Sequence, residues 1–368
     1  MVRDGHQSQT GIAGHISPST AELILDDGLM LDLTFQLFDR EISTPTSLVQ
    51  ASNVPTMKAD WFLAPETWKI SHGVEPSSAL PVGKTTMKNY MKILQSWFER
   101  WVTTGSSPLF HHCLYSTNSP ACVQVAYATL SSYIYRTSAN TETILQIVED
   151  RSNDLLRDNG ATLDRVGDDK WADEEHQDVE LFVQLTRLHA LLVYQIIGLL
   201  ESDLRSRHVA EGRLAVQTSW ARKLFQSAGT VLSNAHSVDT QLVGFLSIAS
   251  NYSQQQWYLW ILSESIRRVW LVAVSLSSIF SALQRGWGTC PGGIMYTHRS
   301  GLWNAASATE WEKHCSGKQV EFLHRFGSTK LFDDAEPADV DEFGTAMLDM
   351  TFNGELLERW RGGSVRSN

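Results

Sequence analysis

Residues 188–200 read L-H-A-L-L-V-Y-Q-I-I-G-L-L, a run in which His189 and Gln195 are the strongly polar side chains. A helix that is apolar on nearly every side is buried inside a protein core. The run is too short to span a bilayer, which takes about 20 apolar residues. We therefore predict a long helix over residues 179–207 at the centre of the domain.

Proline marks the extent of the helical part of the chain. None of the ten prolines lies between Ala121 and Cys290, and proline interrupts helices because it lacks a backbone donor. Apolar residues in this block recur with the helical period, whereas strand-like alternation is nearly absent. The sequence predicts an all-α fold, one large helical-bundle-like domain around a buried central helix. The predicted parts are a polar, irregular N-terminal segment (1–60), a helical core domain (61–325) and an acidic C-terminal segment (326–368).

The charge balance restricts the partners of the chain. Its 368 residues have a formal net charge of −11, whereas a nucleic-acid-binding surface needs clustered basic residues to neutralise phosphates. The nearest basic stretch, residues 205–213, is interrupted by Glu211. The apolar stretch 257–283 contains Glu264 and two arginines, which is typical of a buried helix in a soluble protein. We expect no nucleic-acid partner, no membrane and a cytoplasmic location.

The cysteines exclude the common zinc-binding motifs. The chain has four cysteines, at positions 113, 122, 290 and 315, and none belongs to a C-x-x-C pair. A zinc ribbon or a binuclear zinc cluster requires such pairs. Reduced thiols of a cytosolic protein are the simplest interpretation. The adjacent residues 111–113 (H-H-C) are interpreted as structural rather than as a zinc site.

Five long motifs resemble a known class of fungal protein. They are W-Y-L-W-I-L-S-E-S-I-R-R-V-W-L (257–271), G-W-G-T-C-P-G-G-I-M-Y-T-H-R-S-G-L-W-N-A-A-S-A-T-E-W (286–311), D-W-F-L-A-P-E-T-W (60–68), P-L-F-H-H-C-L-Y (108–115) and A-L-L-V-Y-Q-I-I-G-L-L-E-S-D-L-R-S-R (190–207). Over residues 60–315 the chain resembles the regulatory domain of the fungal zinc-cluster transcription factors that control secondary metabolism. Those regulators carry a basic six-cysteine cluster before this domain. Residues 1–55 contain no cysteine and only Arg3 and Arg40 as basic residues. The resemblance therefore implies a chain that does not bind DNA as those regulators do.

The overall layout also resembles the α-humulene synthases of fungal tropolone sesquiterpenoid pathways. That resemblance implies a class I sesquiterpene cyclase, a magnesium-dependent lyase that converts farnesyl diphosphate to humulene with release of diphosphate. The oligomeric state stays open, a homodimer included. The alternative function is a transcriptional co-regulator, or an orphan regulatory domain without a DNA-binding module. A third interpretation is a truncated gene product without activity.

A cyclase needs residues for three tasks. Carboxylate or amide oxygens must hold magnesium, arginines must hold the diphosphate, and an apolar aromatic cavity must shelter the carbocation. The candidate magnesium ligands are Asp150, Asp154, Glu201, Asp203 and Asn251, the catalytic arginines are Arg267 and Arg268, and the cavity residues are Tyr194, Trp257 and Trp260.

Each set has a structural alternative. Asp150 and Asp154 are followed by Asp158 at the same spacing on one helix face, which also describes a solvated helix end. Glu201 and Asp203 close the central helix, where arginines 205 and 207 are candidate ion-pair partners. For Asn251 the alternative is a helix cap. For the two arginines it is Glu264, four residues before the second of them.

Overall fold

The computed structural model agrees with the predicted fold class. It describes residues 61–72, 83–116, 119–160, 180–234, 242, 246–247, 249–286, 288, 290–316, 322–324, 331–352 and 354–363. The predicted N-terminal segment 1–60 lies outside these residues. Helices dominate the described part, so the predicted all-α class is confirmed.

The helices follow one another along most of the described chain. We number them α1 (Lys84–Thr104), α2 (Ala121–Ile134), α3 (Thr141–Asp158), α4 (Leu181–Leu200), α5 (Leu204–Leu232), α6 (Tyr252–Arg285), α7 (Ala308–Ser316), α8 (Leu331–Asp334), α9 (Glu342–Thr351) and α10 (Gly354–Gly363). Short 3₁₀ turns lie at Trp61–Leu63, Pro65–Trp68 and Pro337–Asp339. Two three-residue strands, β1 (Met295–Thr297) and β2 (Phe322–His324), pair antiparallel.

Helix α4 is the buried centre of the domain, as its all-round apolar sequence predicts. It packs against α2, α3 and α5, and α5 packs in turn against α6. The crossing of α4 and α5 is close, because a Cβ on Gly198 would lie 2.7 Å from the Cβ of Ala210. Gln195 Nε2, fully buried, donates to the Ala210 carbonyl at 2.9 Å across the same contact.

The predicted single helix over 179–207 is wrong, because the chain breaks it after Leu200. Glu201 has an extended ψ of 148°, and Asp203 then accepts the Ser206 backbone N–H at 2.7 Å as the N-cap of α5. A short capping side chain satisfies an orphan donor of the new helix. The central helix therefore turns back on itself, and α4 and α5 become packed neighbours.

Helix α6 is the longest described element, with 34 residues, so it is about 51 Å long at 1.5 Å per residue. Both α4 and α6 are long and apolar enough to cross a membrane, but 83% of each apolar window is buried inside the protein. Burial on that scale is typical of core helices, whose apolar surface is covered by neighbouring elements.

The C-terminal helices join the same core. Helix α9 packs against α1 and α10, and Phe343, Met347 and Leu348 are buried in the common hydrophobic cluster. Backbone bridges tie Ser71 to Gly293 and Arg299 to Val340, so segments from both ends of the described chain meet beside α6. The boundary predicted at residue 325 stays a prediction.

Candidate functional site

One turn of α6 carries three charged side chains that are almost completely buried. Glu264, Arg267 and Arg268 are exposed by 0%, 0% and 1%. Their i, i+3 and i+4 spacing places them on adjacent parts of one helix face. A buried charge is stable only when protein groups neutralise it and satisfy its hydrogen bonds. The role of this turn therefore depends on which groups neutralise its charges and satisfy its hydrogen bonds.

Arg268 is held by four protein acceptors from four parts of the chain. Its Nε donates to Glu264 Oε1 at 3.2 Å and its Nη2 to Asp341 Oδ2 at 2.5 Å. Its Nη1 donates to the Pro108 carbonyl at 2.9 Å, and Nη2 also approaches the Thr297 carbonyl at 3.4 Å. The hydrogen bonds to the two carboxylates, which are ionised acceptors, belong to a stronger class than those to the carbonyls.

Aromatic rings cover the faces of this guanidinium. Its central carbon lies 4.0 Å from the Trp303 ring centroid and 4.6 Å from that of Phe343. A guanidinium over an aromatic face gains a cation–π attraction, which is stronger where water is excluded. The Trp303 indole also donates to the Ser107 carbonyl at 2.9 Å, so the ring itself is fixed.

Arg267 anchors the N-terminal 3₁₀ turns. Its Nη2 donates to the Phe62 carbonyl at 2.6 Å and to Thr67 Oγ1 at 2.9 Å. The guanidinium lies 4.1 Å from the Trp68 ring centroid, and its Nη1 is 3.9 Å from Glu264 Oε2. Burial lowers the pKa of Arg267 to about 10, with Glu264 opposing the shift. The side chain is therefore still charged at neutral pH.

The two carboxylates of this cluster also serve the backbone. Glu264 Oε1 accepts the Thr297 N–H at 3.1 Å, and Asp341 Oδ1 caps α9 by accepting the Gly344 N–H at 2.7 Å. Burial raises the pKa of both carboxyls, and Arg268 opposes the shift in each case. We call Glu264, Arg267, Arg268 and Asp341 the α6 charge cluster; it contains two acidic and two basic groups.

The α6 charge cluster joins distant chain segments, because its arginines donate to residues 62, 67, 108, 297 and 341. The structural alternative named for the arginines, Glu264, is present. Sequence reasoning missed Asp341, which lies 73 positions after Arg268. Its only local signal is that of an N-cap, an aspartate before a helix, and this signal does not identify a partner.

The predicted metal ligands on α3 face solvent. Asp150 is exposed and accepts from Gln146 Nε2 at 3.0 Å. Asp154 pairs with Arg157 at 2.6 Å and Arg151 at 3.4 Å, on the same helix. This arrangement matches the alternative of a solvated helix end.

The other predicted carboxylates have different environments. Glu201 is buried, where its Oε2 accepts from Tyr133 Oη at 2.9 Å and from Arg136 Nη2 at 3.3 Å. Asp203 is exposed and caps α5. Asn251 Oδ1 caps α6 by accepting the Gln254 N–H at 2.9 Å. Each group is thus used by a structural contact.

The predicted cavity residues lie in two places. Tyr194 lies on α4, and burial raises its pKa to about 12. Trp260 packs against Trp303 and Trp311, with ring centroids 6.2 and 5.8 Å away. Trp257 lies beside the histidines at positions 111 and 112.

A small cavity lies elsewhere, between α1, α2 and α4. Its volume is about 20 Å³, which is room for about one water molecule and too little for a fifteen-carbon prenyl chain. Its lining includes Phe98, Leu130, Tyr133, Ile196, Ile197 and Leu200.

Comparison with known proteins finds similarity to a transcription factor. No protein-family model matches it, and no solved structure does. Over 261 residues it is 24% identical to a Penicillium aethiopicum protein named transcription factor gsfR2. The match covers 71% of this chain and 58% of the relative, so the chain spans little more than half of that protein. The chain is thus similar to a fungal transcription factor, in agreement with the regulator resemblance.

This relative overturns the enzymatic interpretation. The prediction of a sesquiterpene cyclase that makes humulene from farnesyl diphosphate is wrong, because the matching protein is a transcription factor and not a lyase. Farnesyl diphosphate as the partner conflicts with the same match. The similarity supports the alternative function named from the sequence, a regulatory chain. The magnesium requirement and the roles of the individual site residues stay predictions.

Proposed function

We propose that this chain is the regulatory domain of a fungal transcriptional regulator and acts as a co-regulator through contact with another protein. The observation that carries the proposal is the 261-residue similarity to a protein named as a transcription factor. The chain has four cysteines in all, fewer than the six of a binuclear zinc cluster. Its net charge of −11 also disfavours direct contact with phosphates. We therefore propose that these residues contact a protein partner and not DNA.

Arg268 of the α6 charge cluster supports this function over a catalytic one. Arg268 already donates to Glu264, Asp341 and the Pro108 carbonyl, and these contacts bind separate segments into one core. A regulatory domain needs such a rigid framework to present a constant surface to its partner. Diphosphate chemistry would instead need arginines whose donors reach a ligand.

A tethering experiment tests the proposal. The full chain is fused to a heterologous DNA-binding domain in a fungal strain with a matching reporter gene. We expect reporter transcription to change relative to the DNA-binding domain alone. The fusion carrying Asp341→Ala should lose the effect because its core is weakened, whereas Asp150→Asn should keep it. An unchanged reporter with a folded, equally abundant fusion contradicts the proposal.

Two measurements on the purified chain complete the test. Incubation with farnesyl diphosphate and magnesium, followed by gas chromatography, should yield no humulene. Duplex DNA should show no sequence-specific footprint at physiological salt when the chain is added alone. A footprint that disappears at high salt would show that the chain contacts phosphates directly, and that result would refute the proposal that these residues do not contact DNA.

A further inference from the structure

The turn between α1 and α2 brings together three side chains that can bind a metal. His111, His112 and Cys113 each offer one ligand atom, and these atoms lie within 4.8 Å of one another. His111 is buried, His112 is exposed, and Cys113 is half-buried. From the sequence this triplet is interpreted as structural. The structure adds that a buried imidazole, an accessible imidazole and a thiol share one small volume.

The backbone around this triplet is held in place by the core. Pro108, three residues before His111, accepts from Arg268 of the α6 charge cluster. Ser107 Oγ accepts the Phe110 N–H at 3.3 Å, and the ring of Trp303 meets that of His111 edge-on at 5.0 Å. A site whose backbone is fixed by surrounding contacts loses little entropy when it binds an ion.

The chemistry of the three groups suits a soft cation. An imidazole offers a nitrogen lone pair to a metal, and a cysteine thiol becomes a thiolate ligand when a metal displaces its proton. Neutral imidazole and thiolate are the ligands that Zn²⁺ prefers.

One ring nitrogen of His111 already faces Cys113, the third residue of the triplet. Its Nδ1 accepts the Cys113 N–H at 3.1 Å, so its lone pair is directed to that side of the turn. A metal at Nδ1 replaces this hydrogen bond and leaves the proton on Nε2. The imidazole then keeps one lone pair for the metal and one N–H, as a neutral ligand must.

Two further features concern the neighbours of the triplet. The His112 ring stacks on the His111 ring at 4.4 Å and 28°, and it must turn for the two lone pairs to converge, which its exposed position permits. The buried Trp257 indole N–H, beside both rings, has no hydrogen-bond acceptor in the described part of the chain. A solvent molecule bound to the metal would provide an acceptor for such a donor.

We propose that His111, His112 and Cys113 form a binding site for a thiophilic divalent cation of the Zn²⁺ class. The three side chains occupy three positions of a tetrahedron, and solvent fills the fourth on the side of His112. Binding is balanced by one proton: the Cys113 S–H bond breaks, the S–Zn bond forms, and the proton leaves to solvent. This site does not depend on the proposed regulatory function.

Zinc titration of the metal-free full chain tests the site. We expect one Zn²⁺ per chain in competition with a chromophoric chelator. His112→Ala and Cys113→Ser should each weaken binding by more than the roughly 10–100-fold that changes outside the ligand set cost. The exposed residues His208 and Cys290 provide matched controls, and His208→Ala and Cys290→Ser should bind as the wild type does. Circular dichroism checks that each variant is folded.

Two readouts separate a built site from general binding to histidine and cysteine. Near neutral pH the affinity should rise about tenfold per pH unit, because the Cys113 thiol releases one proton, and Cys113→Ser should abolish this slope. Co²⁺ in place of Zn²⁺ should give a thiolate-to-metal absorption band that the same variant removes. Weak binding that both ligand variants leave unchanged would mean an adventitious ion only and would overturn the proposal, as would the absence of stoichiometric binding.

Discussion

Helices α3 and α6 both carry charged residues at helical spacing, yet they use them in opposite ways. On α3, Asp154 pairs with Arg157 of its own helix, and the two side chains are 37% and 70% exposed. On α6, Arg268 pairs with Asp341, 73 residues away, and is 1% exposed. The difference is one of surroundings: α6 is apolar around its charges, whereas α3 has one polar face.

The comparison implies very different energies for similar ion pairs. Exposed pairs contribute about 0–1 kcal/mol because water and salt screen them. Removing one partner of a buried pair costs about 3–5 kcal/mol because the other charge stays desolvated and unpaired. The partners of a charged residue inside an apolar helical pattern therefore determine the fold. Variants of the two helices measure this contrast.

The largest expected effect is that of Asp341→Ala. This variant leaves Arg268 without its closest carboxylate and removes the cap of α9, so we expect a loss of about 3–5 kcal/mol in the free energy of unfolding. Urea unfolding followed by circular dichroism measures it. The exposed Asp333→Ala is the matched control and should change stability by less than about 0.5 kcal/mol. Equal unfolding midpoints for both variants would contradict a structural role for the α6 charge cluster.

A second buried group extends the contrast to pH. His189 on α4 contacts Tyr115 Oη through Nδ1 at 2.5 Å, and burial lowers its pKa from 6.5 to about 3. As pH falls, His189 therefore takes up a proton in the unfolded chain before it does so in the folded protein. The stability that neutral His189 contributes is present above pH 6.5 and is lost as pH falls towards 3.

The free energy of unfolding should fall by about 1.4 kcal/mol per pH unit relative to that of His189→Gln. The glutamine keeps an acceptor for Tyr115 but does not titrate. Unfolding curves of both proteins at a series of acidic pH values give the difference. Parallel pH profiles would show that His189 is protonated as readily in the folded protein as in the unfolded chain.

A smaller effect is expected at the start of α5. Asp203→Ala removes the acceptor of the Ser206 N–H and should cost about 1 kcal/mol. Asp203→Asn keeps a capping oxygen and should cost only a few tenths. Thermal unfolding of the two variants compares them. Similar losses for both would indicate that the carboxylate acts through its charge rather than as a cap.

The smallest effect is expected on α3. Asp150→Asn and Asp154→Asn remove exposed carboxylates, and each should change stability by less than about 0.5 kcal/mol. Thermal unfolding with and without added magnesium checks both this and the predicted metal site. A rise in the unfolding temperature with magnesium that the two variants abolish would support metal binding at this helix.

The sequence predicts the environment of a residue well where neighbouring residues in the chain create that environment. The all-round apolar run of α4 predicts its burial, and Asn251 before α6 has the pattern of a cap. Pairings between distant segments are not encoded in any local pattern. For Glu201 the sequence offers Arg205 and Arg207, but the structure pairs its carboxylate with Arg136. Arg207 donates to the Glu201 backbone carbonyl, and Arg205 pairs with Glu149.

The candidate metal site shows the same limit. The H-H-C order of residues 111–113 is visible in the sequence, but their burial is not. A buried imidazole differs from an exposed one only through the residues that cover it, here Trp303 and Trp257. Those residues are far along the chain and reach the turn only when α6 has packed.

The distance along the chain between Arg268 and Asp341 has a consequence for protein synthesis. The ribosome makes the arginine 73 residues before its carboxylate partner, a delay of roughly 4–15 seconds at 5–20 residues per second. During this interval the emerging chain holds a guanidinium destined for the interior, while Asp341, one of its two carboxylate partners, does not yet exist. We therefore expect the domain to complete its core late, after α9 has left the exit tunnel. Stalled nascent chains that end before residue 341 should be cleaved by protease faster than chains released at full length, and equal protection would contradict this order of assembly.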